Sequence, residues 1–237
     1  MRSFPNMTVV QPADAVAARA LAHAAVDFTG PLYVRLHRNP VADLYDPATY
    51  KFEWGKANTV VDNGSDMTMI VSGILLKKAL DAAAILKEQG IGVRVLDMAT
   101  IKPLDKEAVL KAAGETGAIM TIEDHSIFGG LGSAVAEVVV GNCPVPMEIV
   151  GIQDRFGESG DPELIYKDHG MDVDSIVAKA KALVARKGLK GDRHFGQGAV
   201  PARSAEKCEK GMNPTMAAPH VCILQTSFAK REEPSPS

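Results

Sequence analysis

The sequence predicts an α/β fold with a mostly parallel, doubly wound sheet that helices cover on both faces. From residue 58 onward, short apolar runs of strand length alternate with helical patterns of about ten to fifteen residues. Parallel strands need a crossover connection, and a helix that packs back onto the sheet is the usual one. The 237 residues, 46% of them hydrophobic, are enough to form a sizeable core.

The N-terminal part predicts two strands and one helix. A strand at residues 7–10 is followed by Asp14, which is a suitable N-cap for an alanine-rich helix. A second strand at residues 32–36 ends before Pro40, which cannot continue a hydrogen-bonded ladder. Because two strands and a helix cannot bury both faces of a sheet, residues 1–40 are expected to be the end of a larger domain.

Three further segments follow. Residues 41–57 hold several aromatic side chains without a clear period and are expected to form an ordered linker. Residues 58–187 carry the regular alternation of strands and helices. Residues 188–237 mix Gly, Pro, Ser, Lys and Glu with few aliphatic residues, a composition typical of a solvated, disordered tail.

Within the regular part, apolar runs and helical spacing locate each element. The predicted strands are residues 59–62, 67–72, 93–98, 118–123 and 147–152, and the predicted helices are residues 75–89, 105–115, 133–140 and 174–185. The first of these helices places Leu75, Ala79 and Leu86 on one face and ends at Gly90. The first strand is turned by Asn63-Gly64 and is expected to pair antiparallel with the next strand.

Charge and cysteine content exclude several classes of function. The formal net charge is −3 and no basic run stands out, so neither nucleic acid nor an anionic membrane is an expected partner. Cys143, Cys208 and Cys222 lack metal-ligand spacing, which argues against a zinc site or a disulfide framework. No apolar stretch is long enough for a membrane span, and a reducing, cytoplasmic location is expected.

The segment from Glu123 to Ala134 runs from a strand end through glycines into a helix. Such a place, at the carboxyl edge of a parallel sheet, can attract a phosphate to helix amides. The glycines do not have dinucleotide-binding spacing, and no phosphate-binding loop motif occurs in the chain. A structural turn with His125 hydrogen-bonded at the strand end is therefore favoured over contact between His125 and a ligand.

Two other loops carry polar clusters. Residues 154–161 hold three carboxylates and Arg155, but they lack the spacing of a calcium loop, so pairing of Arg155 with a neighbouring acid is favoured over a metal site. His37 and Arg38 directly follow a strand, where a guanidinium could bind phosphate. From spacing alone, a surface ion pair of Arg38 is favoured. No metal ligands and no nucleophile with a base partner are predicted.

Four segments, taken in this order and spacing, together resemble one family. They are Gly30-Pro31-Leu32-Tyr33-Val34-Arg35-Leu36 with Arg38, Asp97-Met98 leading to Thr100-Ile101-Lys102-Pro103-Leu104-Asp105, Glu123-Asp124-His125-Ser126 with the glycine turn, and Gly151-Ile152 with residues 154–160. The family is that of the transketolases, and the resemblance is greatest to the C-terminal subunit of split transketolases. It extends over about residues 1–185.

The resemblance implies a three-domain architecture. Residues 1–40 are similar to the end of the pyrimidine-binding domain, and residues 58–187 are similar to the C-terminal domain. In this family the active sites lie at a dimer interface between the pyrimidine-binding and diphosphate-binding domains. The implied reaction is the transfer of a two-carbon ketol unit between sugar phosphates by thiamine diphosphate, which supplies the chemistry.

The resemblance also implies which parts must come from elsewhere. The family's activating glutamate has no counterpart, since the first glutamate of this chain is Glu53 in the linker. The family's Gly-Asp-Gly turn for metal and diphosphate is absent too. Thiamine diphosphate and Mg²⁺ are therefore expected in the complete enzyme but not on this chain alone. The implied partner is a thiamine-diphosphate-binding N-terminal subunit, in a homo- or hetero-oligomer.

One functional position carries over by resemblance. Arg38 corresponds to the arginine that holds the substrate's phosphate, while His37 and His125 are candidate loop contacts without a catalytic role. Two alternatives remain: a non-catalytic dimerisation or regulatory module, and a 2-oxo acid dehydrogenase β subunit or a deoxyxylulose phosphate synthase fragment, which share the C-terminal fold. The segments at residues 102–105 and 156–159 favour transketolase over the dehydrogenase.

Overall fold

The computed structural model describes residues 1–38 and 41–188, which form strands and helices in alternation. The strands are Thr8–Val10 (β1), Leu32–Val34 (β2), Asn58–Asp62 (β3), Met67–Val71 (β4), Val93–Asp97 (β5), Thr100–Lys102 (β6), Ile119–Ser126 (β7) and Met147–Ile152 (β8). The helices are Ala15–Val26 (α1), Leu76–Glu88 (α2), Lys106–Thr116 (α3), Leu131–Asn142 (α4), Pro162–Asp168 (α5) and Val173–Gly188 (α6). The tail predicted for residues 188–237 lies, except for residue 188, outside the described residues.

The larger sheet has five strands in the order β3-β5-β4-β7-β8. Strands β5, β4, β7 and β8 are parallel, which confirms the predicted doubly wound arrangement. β3 is antiparallel, but it pairs with β5 and not with β4, so the predicted partner was wrong. The reason is that β4 is the central strand, and hydrogen bonds to β5 and β7 already occupy both of its edges.

The core lies on both faces of this sheet because side chains of a strand alternate between faces. Met69 of β4 packs in a cluster with Leu86 of α2 and Leu183 of α6. The next residue, Ile70, packs on the opposite face with Val109 of α3 and other residues of α3 and α4. All residues of β4 are buried, as expected for the central strand of a covered sheet.

A second sheet ties the N-terminal part to the rest of the chain. Its order is β2-β1-β6, with β1 parallel to β2 and antiparallel to β6. β6 was not predicted, because three residues between a strand and a helix carry too little pattern to identify a strand. The pairing continues beyond β1, where the Gln11 amide donates to the carbonyl of Ala99 at 2.8 Å.

The linker is held by aromatic contacts and by one buried carboxylate. The rings of Tyr45 and Tyr50 lie 4.3 Å apart, and Trp54 packs against Phe28 at 4.6 Å. Asp14 caps α1 through one carboxylate oxygen, and its other oxygen accepts the amides of residues 44 and 45. Side chains of the N-terminal segment therefore contact residues 41–57, whose role as a linker stays a prediction.

One helix was missed by the sequence prediction. α5 lies in the loop after β8 and begins with Asp161 as N-cap, whose carboxylate accepts the amides of Glu163 and Leu164. An acidic N-cap followed by proline at the first helical position is a start signal that the sequence does contain. Among the described residues, each helix is too short or too polar to serve as a membrane span.

Candidate functional site

Polar side chains meet where the carboxyl ends of β1, β2, β4 and β7 come together. Glu123, Asp124 and His125 lie in the last part of β7, while Arg35, His37 and Arg38 follow β2. Since β7 belongs to the five-stranded sheet and β2 to the three-stranded sheet, the site lies where the two sheets meet. Carboxyl ends of parallel strands are the usual place for ligands in open α/β domains.

Glu123 occupies the N-terminus of α4. The residue is 1% exposed, and its two carboxylate oxygens accept the amides of Leu131 and Gly132, each at 2.7 Å. A side chain at Gly130 would overlap the carboxylate, so this turn requires glycine. Burial raises the pKa of Glu123 above its ordinary value, while the two amide hydrogen bonds oppose the rise. The helix amides considered as a phosphate site are therefore already bound to the chain's own carboxylate.

His125 is exposed and bonds to the backbone at the end of β7. Its Nδ1 donates to the carbonyl of Ser126 at 2.8 Å, and the same nitrogen lies 3.9 Å from Glu123 Oε2. The hydrogen bond at the strand end was the favoured prediction for His125 and is confirmed. The predicted role of His125 as a loop contact to a ligand stays a prediction.

Asp124 is the centre of the polar network. Its Oδ1 accepts Arg35 Nη1 and Gln11 Nε2, both at 2.7 Å, and its backbone carbonyl accepts Arg35 Nη2 at 2.8 Å. Its Oδ2 lies 3.7 Å from His37 Nδ1. The guanidinium of Arg35 thus balances the charge of Asp124. Gln11 and Arg35, which both bind this carboxylate, follow β1 and β2 of the other sheet.

His37 is neutral in this arrangement. Its Nε2 accepts the backbone amide of Ile74 at 3.0 Å, so the ring proton is on Nδ1, the nitrogen nearer Asp124. Burial lowers the pKa of His37 and the neighbouring Arg35 lowers it further, while Asp124 opposes both. The ring thereby links the segment after β2 to the segment after β4.

Arg38 is exposed and follows these anchored residues directly. Exposure alternates along the segment: Arg35 and His37 are half-buried, whereas Leu36 and Arg38 face solvent. Arg35 and His37 thus lie on the side of Asp124, and the backbone bends at Arg38. The surface ion pair favoured for Arg38 from spacing is not observed among the described residues, and its substrate-binding role stays a prediction.

A cavity of about 560 Å³ adjoins the network. It is lined by Arg35, Glu123 and His125 on one side and by Arg2 and Glu137 on another. Arg2 binds both carboxylate oxygens of Glu137, at 2.6 and 2.9 Å. Both carboxylates that line the cavity are therefore bound to donors of the chain itself.

The loop at residues 154–161 holds a surface ion cluster. Arg155 donates to Glu158 at 2.6 Å and to Asp168 at 2.7 Å, which confirms the predicted pairing of this arginine. Ligand atoms of Glu158, Asp168 and His169 lie within 4.8 Å of one another. The guanidinium of Arg155 balances the charge that could otherwise attract a cation.

A second buried carboxyl lies at the end of β5. Asp97 is fully buried, and its Oδ2 accepts the hydroxyl of Tyr45 at 2.7 Å. Its Oδ1 has no hydrogen-bond partner among the described residues. Burial raises the pKa of Asp97 to about 7, the Tyr45 hydrogen bond lowers it, and Asp14 raises it further. Burial also raises the pKa of Tyr45 far above its ordinary value.

Sequence reasoning missed the roles of Gln11, Arg35 and Asp124. In the structure Gln11 follows β1 and Arg35 follows β2, although residue 35 was predicted to lie within the second strand, and Asp124 lies within the motif noted at the end of β7. The signal that was present is the period-two spacing of Arg35 and His37, which places both side chains on one face of an extended segment. Nothing local in the sequence indicates which residue they face.

Comparison with known proteins relates this chain to a single family. The family model described as "Transketolase, C-terminal domain" matches residues 55–176, which is just over half of the chain. An apulose-4-phosphate transketolase subunit of Phocaeicola vulgatus is 44% identical over 186 residues, which are 78% of this chain and 59% of that protein. The 6-deoxy-6-sulfo-D-fructose transketolase subunit SqwH of Clostridium sp. is 42% identical over 190 residues, 80% of this chain and 58% of that protein.

A solved structure is similar too. It is described as a split gene transketolase, inactive beta4 tetramer, and it superposes with a TM-score of 0.75 at 42% identity, over 79% of this chain and 61% of that one. The chain thus spans about three fifths of the length of these relatives. The predicted family resemblance and the predicted α/β fold of the transketolase C-terminal domain are confirmed, while the partial pyrimidine-binding domain expected before it stays a prediction.

Proposed function

Since the chain belongs to the transketolase C-terminal domain family, we propose that it acts as the C-terminal part of a split transketolase. The complete enzyme transfers a two-carbon ketol unit between sugar phosphates and uses thiamine diphosphate, in the cytoplasm. The observation that carries the proposal is the similarity to transketolase subunits, which extends beyond the C-terminal domain to more than three quarters of this chain. The exposed Arg38 beside an anchored network at the strand ends agrees with a substrate-binding edge.

The cofactor and its metal are assigned to a partner chain. A thiamine diphosphate site needs a carboxylate free to act on the aminopyrimidine and oxygen ligands free to hold Mg²⁺. Glu123 and Glu137, the carboxylates that line the cavity, are instead bound to backbone amides and to Arg2. The carboxylates of this cavity therefore do not fit the cofactor, and a thiamine-diphosphate-binding N-terminal subunit is the proposed partner.

Residues 1–40 are proposed to belong to a pyrimidine-binding domain. β2 is the edge strand of the three-stranded sheet: one of its edges pairs with β1, and its other edge pairs with no strand among the described residues. α1 buries only Ala17 and Leu21, and Val26 at its end is 80% exposed. An open parallel edge and a largely uncovered helix are features of a sheet that further elements complete.

The first test combines this chain with its partner. The chain is co-expressed with the thiamine-diphosphate-binding subunit of the same organism, and ketol transfer from a ketose phosphate is measured with thiamine diphosphate and Mg²⁺. Activity that requires both chains supports the proposal. A stable two-chain complex that lacks activity with every sugar phosphate pair would favour the non-catalytic module, as would a complex whose activity does not depend on this chain.

A second measurement tests the assignment of the cofactor site. In calorimetric titration, the purified chain is expected to release no heat with thiamine diphosphate and Mg²⁺ at micromolar concentrations. Binding at that concentration would contradict the assignment of the cofactor to the partner. The similar solved structure, described as an inactive tetramer of β chains, supports the expectation that this chain alone self-associates without activity.

Arg38→Ala tests the contact with substrate phosphate. Because a charge-assisted hydrogen bond is lost, KM for a phosphorylated donor is expected to rise about tenfold to a hundredfold in the active complex, while KM for an unphosphorylated donor stays nearly unchanged. Arg19→Ala is the matched control, since Arg19 is an exposed arginine on α1. Equal effects of Arg38→Ala on both donors would remove this residue from the site.

A further inference from the structure

We propose that Asp124 is a positioning residue for Arg38: it fixes the segment after β2 so that the Arg38 guanidinium meets the phosphate of the sugar substrate. The inference rests on the proposed function, because it takes Arg38 as the phosphate ligand. Asp124 itself touches no substrate in this proposal. It acts through the residues that it holds.

The contacts of Asp124 come from both sheets. Gln11 follows β1 and Arg35 follows β2, and each donates to the same carboxylate oxygen at 2.7 Å. Asp124 belongs to β7 of the five-stranded sheet. One carboxylate therefore holds two strand ends of the smaller sheet against the larger sheet, and among the described residues these two sheets are separate ladders.

The bond with Arg35 fixes orientation as well as distance. One guanidinium nitrogen binds the Asp124 side chain and the other binds its backbone carbonyl at 2.8 Å. A two-point contact of a planar guanidinium restricts rotation, which a single contact does not. The amide of Arg35 also donates to the carbonyl of Val10 at 2.9 Å, so the main chain at this residue is held too.

His37 supplies the second anchor of the segment. Its ring accepts the amide of Ile74 through Nε2, and its Nδ1 lies 3.7 Å from Asp124. Arg35 and His37 are thus both fixed on the side of Asp124. Leu36 and Arg38, the residues of opposite parity, face solvent. Because Arg38 follows His37 directly, at a bend of the backbone, anchoring residues 35 and 37 restricts the directions in which Arg38 can leave the chain.

The side chains of this network are partly shielded from solvent. The side chain of Asp124 is 13% exposed, as is that of His37, whereas that of Arg35 is 32% exposed. Partial burial strengthens these charge-assisted bonds relative to bonds on an open surface. A positioning role needs such rigid contacts, because binding of a phosphate depends on the position of the guanidinium as well as on its charge.

The first test uses the purified full-length chain and needs no activity. Asp124→Asn removes the charge but keeps the size of the side chain. Hydrogen exchange of the Arg35 amide is expected to become about tenfold faster, while exchange of the β4 amides stays unchanged. Asp168→Asn is the matched control, since Asp168 binds Arg155 at the same 2.7 Å on an exposed surface. Unchanged exchange at Arg35 in Asp124→Asn would overturn the proposal.

The second test uses the active two-chain complex. Asp124→Asn is expected to raise KM for a phosphorylated donor about tenfold, with kcat and KM for an unphosphorylated donor changed less than about twofold. Asp124→Glu, which keeps the charge, is expected to recover part of the loss. Arg35→Lys perturbs the same contact with Asp124 intact and is expected to reproduce the donor-selective effect.

A double-mutant cycle separates positioning from a general structural role. If Asp124 acts through Arg38, Arg38→Ala with Asp124→Asn is no worse than Arg38→Ala alone for the phosphorylated donor. Full additivity, or an equal rise in KM for both donors, overturns the positioning role. If Arg38→Ala raises KM only for the phosphorylated donor and Asp124→Asn has no effect, the positioning role of Asp124 is wrong and the phosphate contact of Arg38 stands. If Arg38→Ala raises KM equally for both donors, the phosphate contact is wrong, and the positioning role falls with it.

Discussion

Replacement of Asp97 by asparagine should change how stability depends on pH. The Asp97 carboxyl is fully buried, and its pKa is raised from 3.8 to about 7, chiefly by burial. In the unfolded chain the same group titrates near its ordinary value. Between pH 4 and pH 7 the folded protein therefore holds a proton that the unfolded chain has released, and stability falls as pH rises through this window.

The magnitude follows from the two pKa values. A rise from 3.8 to about 7 corresponds to about 4 kcal/mol, which is fully present below pH 4 and lost once pH exceeds about 7. Asparagine has the same shape and can still accept the Tyr45 hydroxyl, but it does not ionise. Its amide places donors where Oδ1 has no partner among the described residues, which adds a pH-independent cost of about 1–3 kcal/mol.

The assay is urea unfolding from pH 4 to pH 8. Trp54, the one tryptophan, packs against two aromatic rings and reports unfolding by its fluorescence. Asp97→Asn is expected to be less stable than the parent at pH 4, and the difference should change by about 4 kcal/mol in favour of the variant by pH 8. Parallel stability curves for the two proteins would refute the reasoning. Asp168→Asn, an exposed carboxylate, is the control.

Two further substitutions test the local geometry. Gly130→Ala is expected to cost about 2–4 kcal/mol, seen as a lower urea midpoint, because the new Cβ would overlap the Glu123 carboxylate; an unchanged midpoint would contradict that geometry. Asp105→Ala is expected to cost about 1–3 kcal/mol in the same assay, because one carboxylate oxygen of Asp105 caps α3 and the other accepts the amide of Ala57. An unchanged urea midpoint would contradict these two contacts.

The sequence predicted those elements that short-range patterns define. The run from Met67 to Val71 is apolar in all but one position and indicates a buried central strand, and the helices around it show their buried faces at helical spacing. The pairing of β3 was not predictable in this way, since its neighbour depends on which strand edges the rest of the sheet leaves open. β6 was missed because its partner, β1, is about ninety residues away.

The candidate site was predictable only in part for the same reason. The sequence identifies His37, Arg38 and His125 as candidates because they follow predicted strands. Open α/β domains bind their ligands at the carboxyl ends of strands. The contact between Arg35 and Asp124 joins residues 89 positions apart and has no local signal. Such contacts depend on how the two sheets meet, which only the folded chain determines.

The occupied N-terminus of α4 bears on where this edge could recognise phosphate. A phosphate placed there would compete with Glu123 for the amides of Leu131 and Gly132 and would be repelled by its carboxylate when ionised. Release of the carboxylate would leave a buried acid without these two donors, which opposes binding of a phosphate there. Helix amides are thus used for internal structure at this edge. Recognition of a phosphate then depends on side chains, and the exposed guanidinium of Arg38, next to an anchored segment, has the required charge and donors.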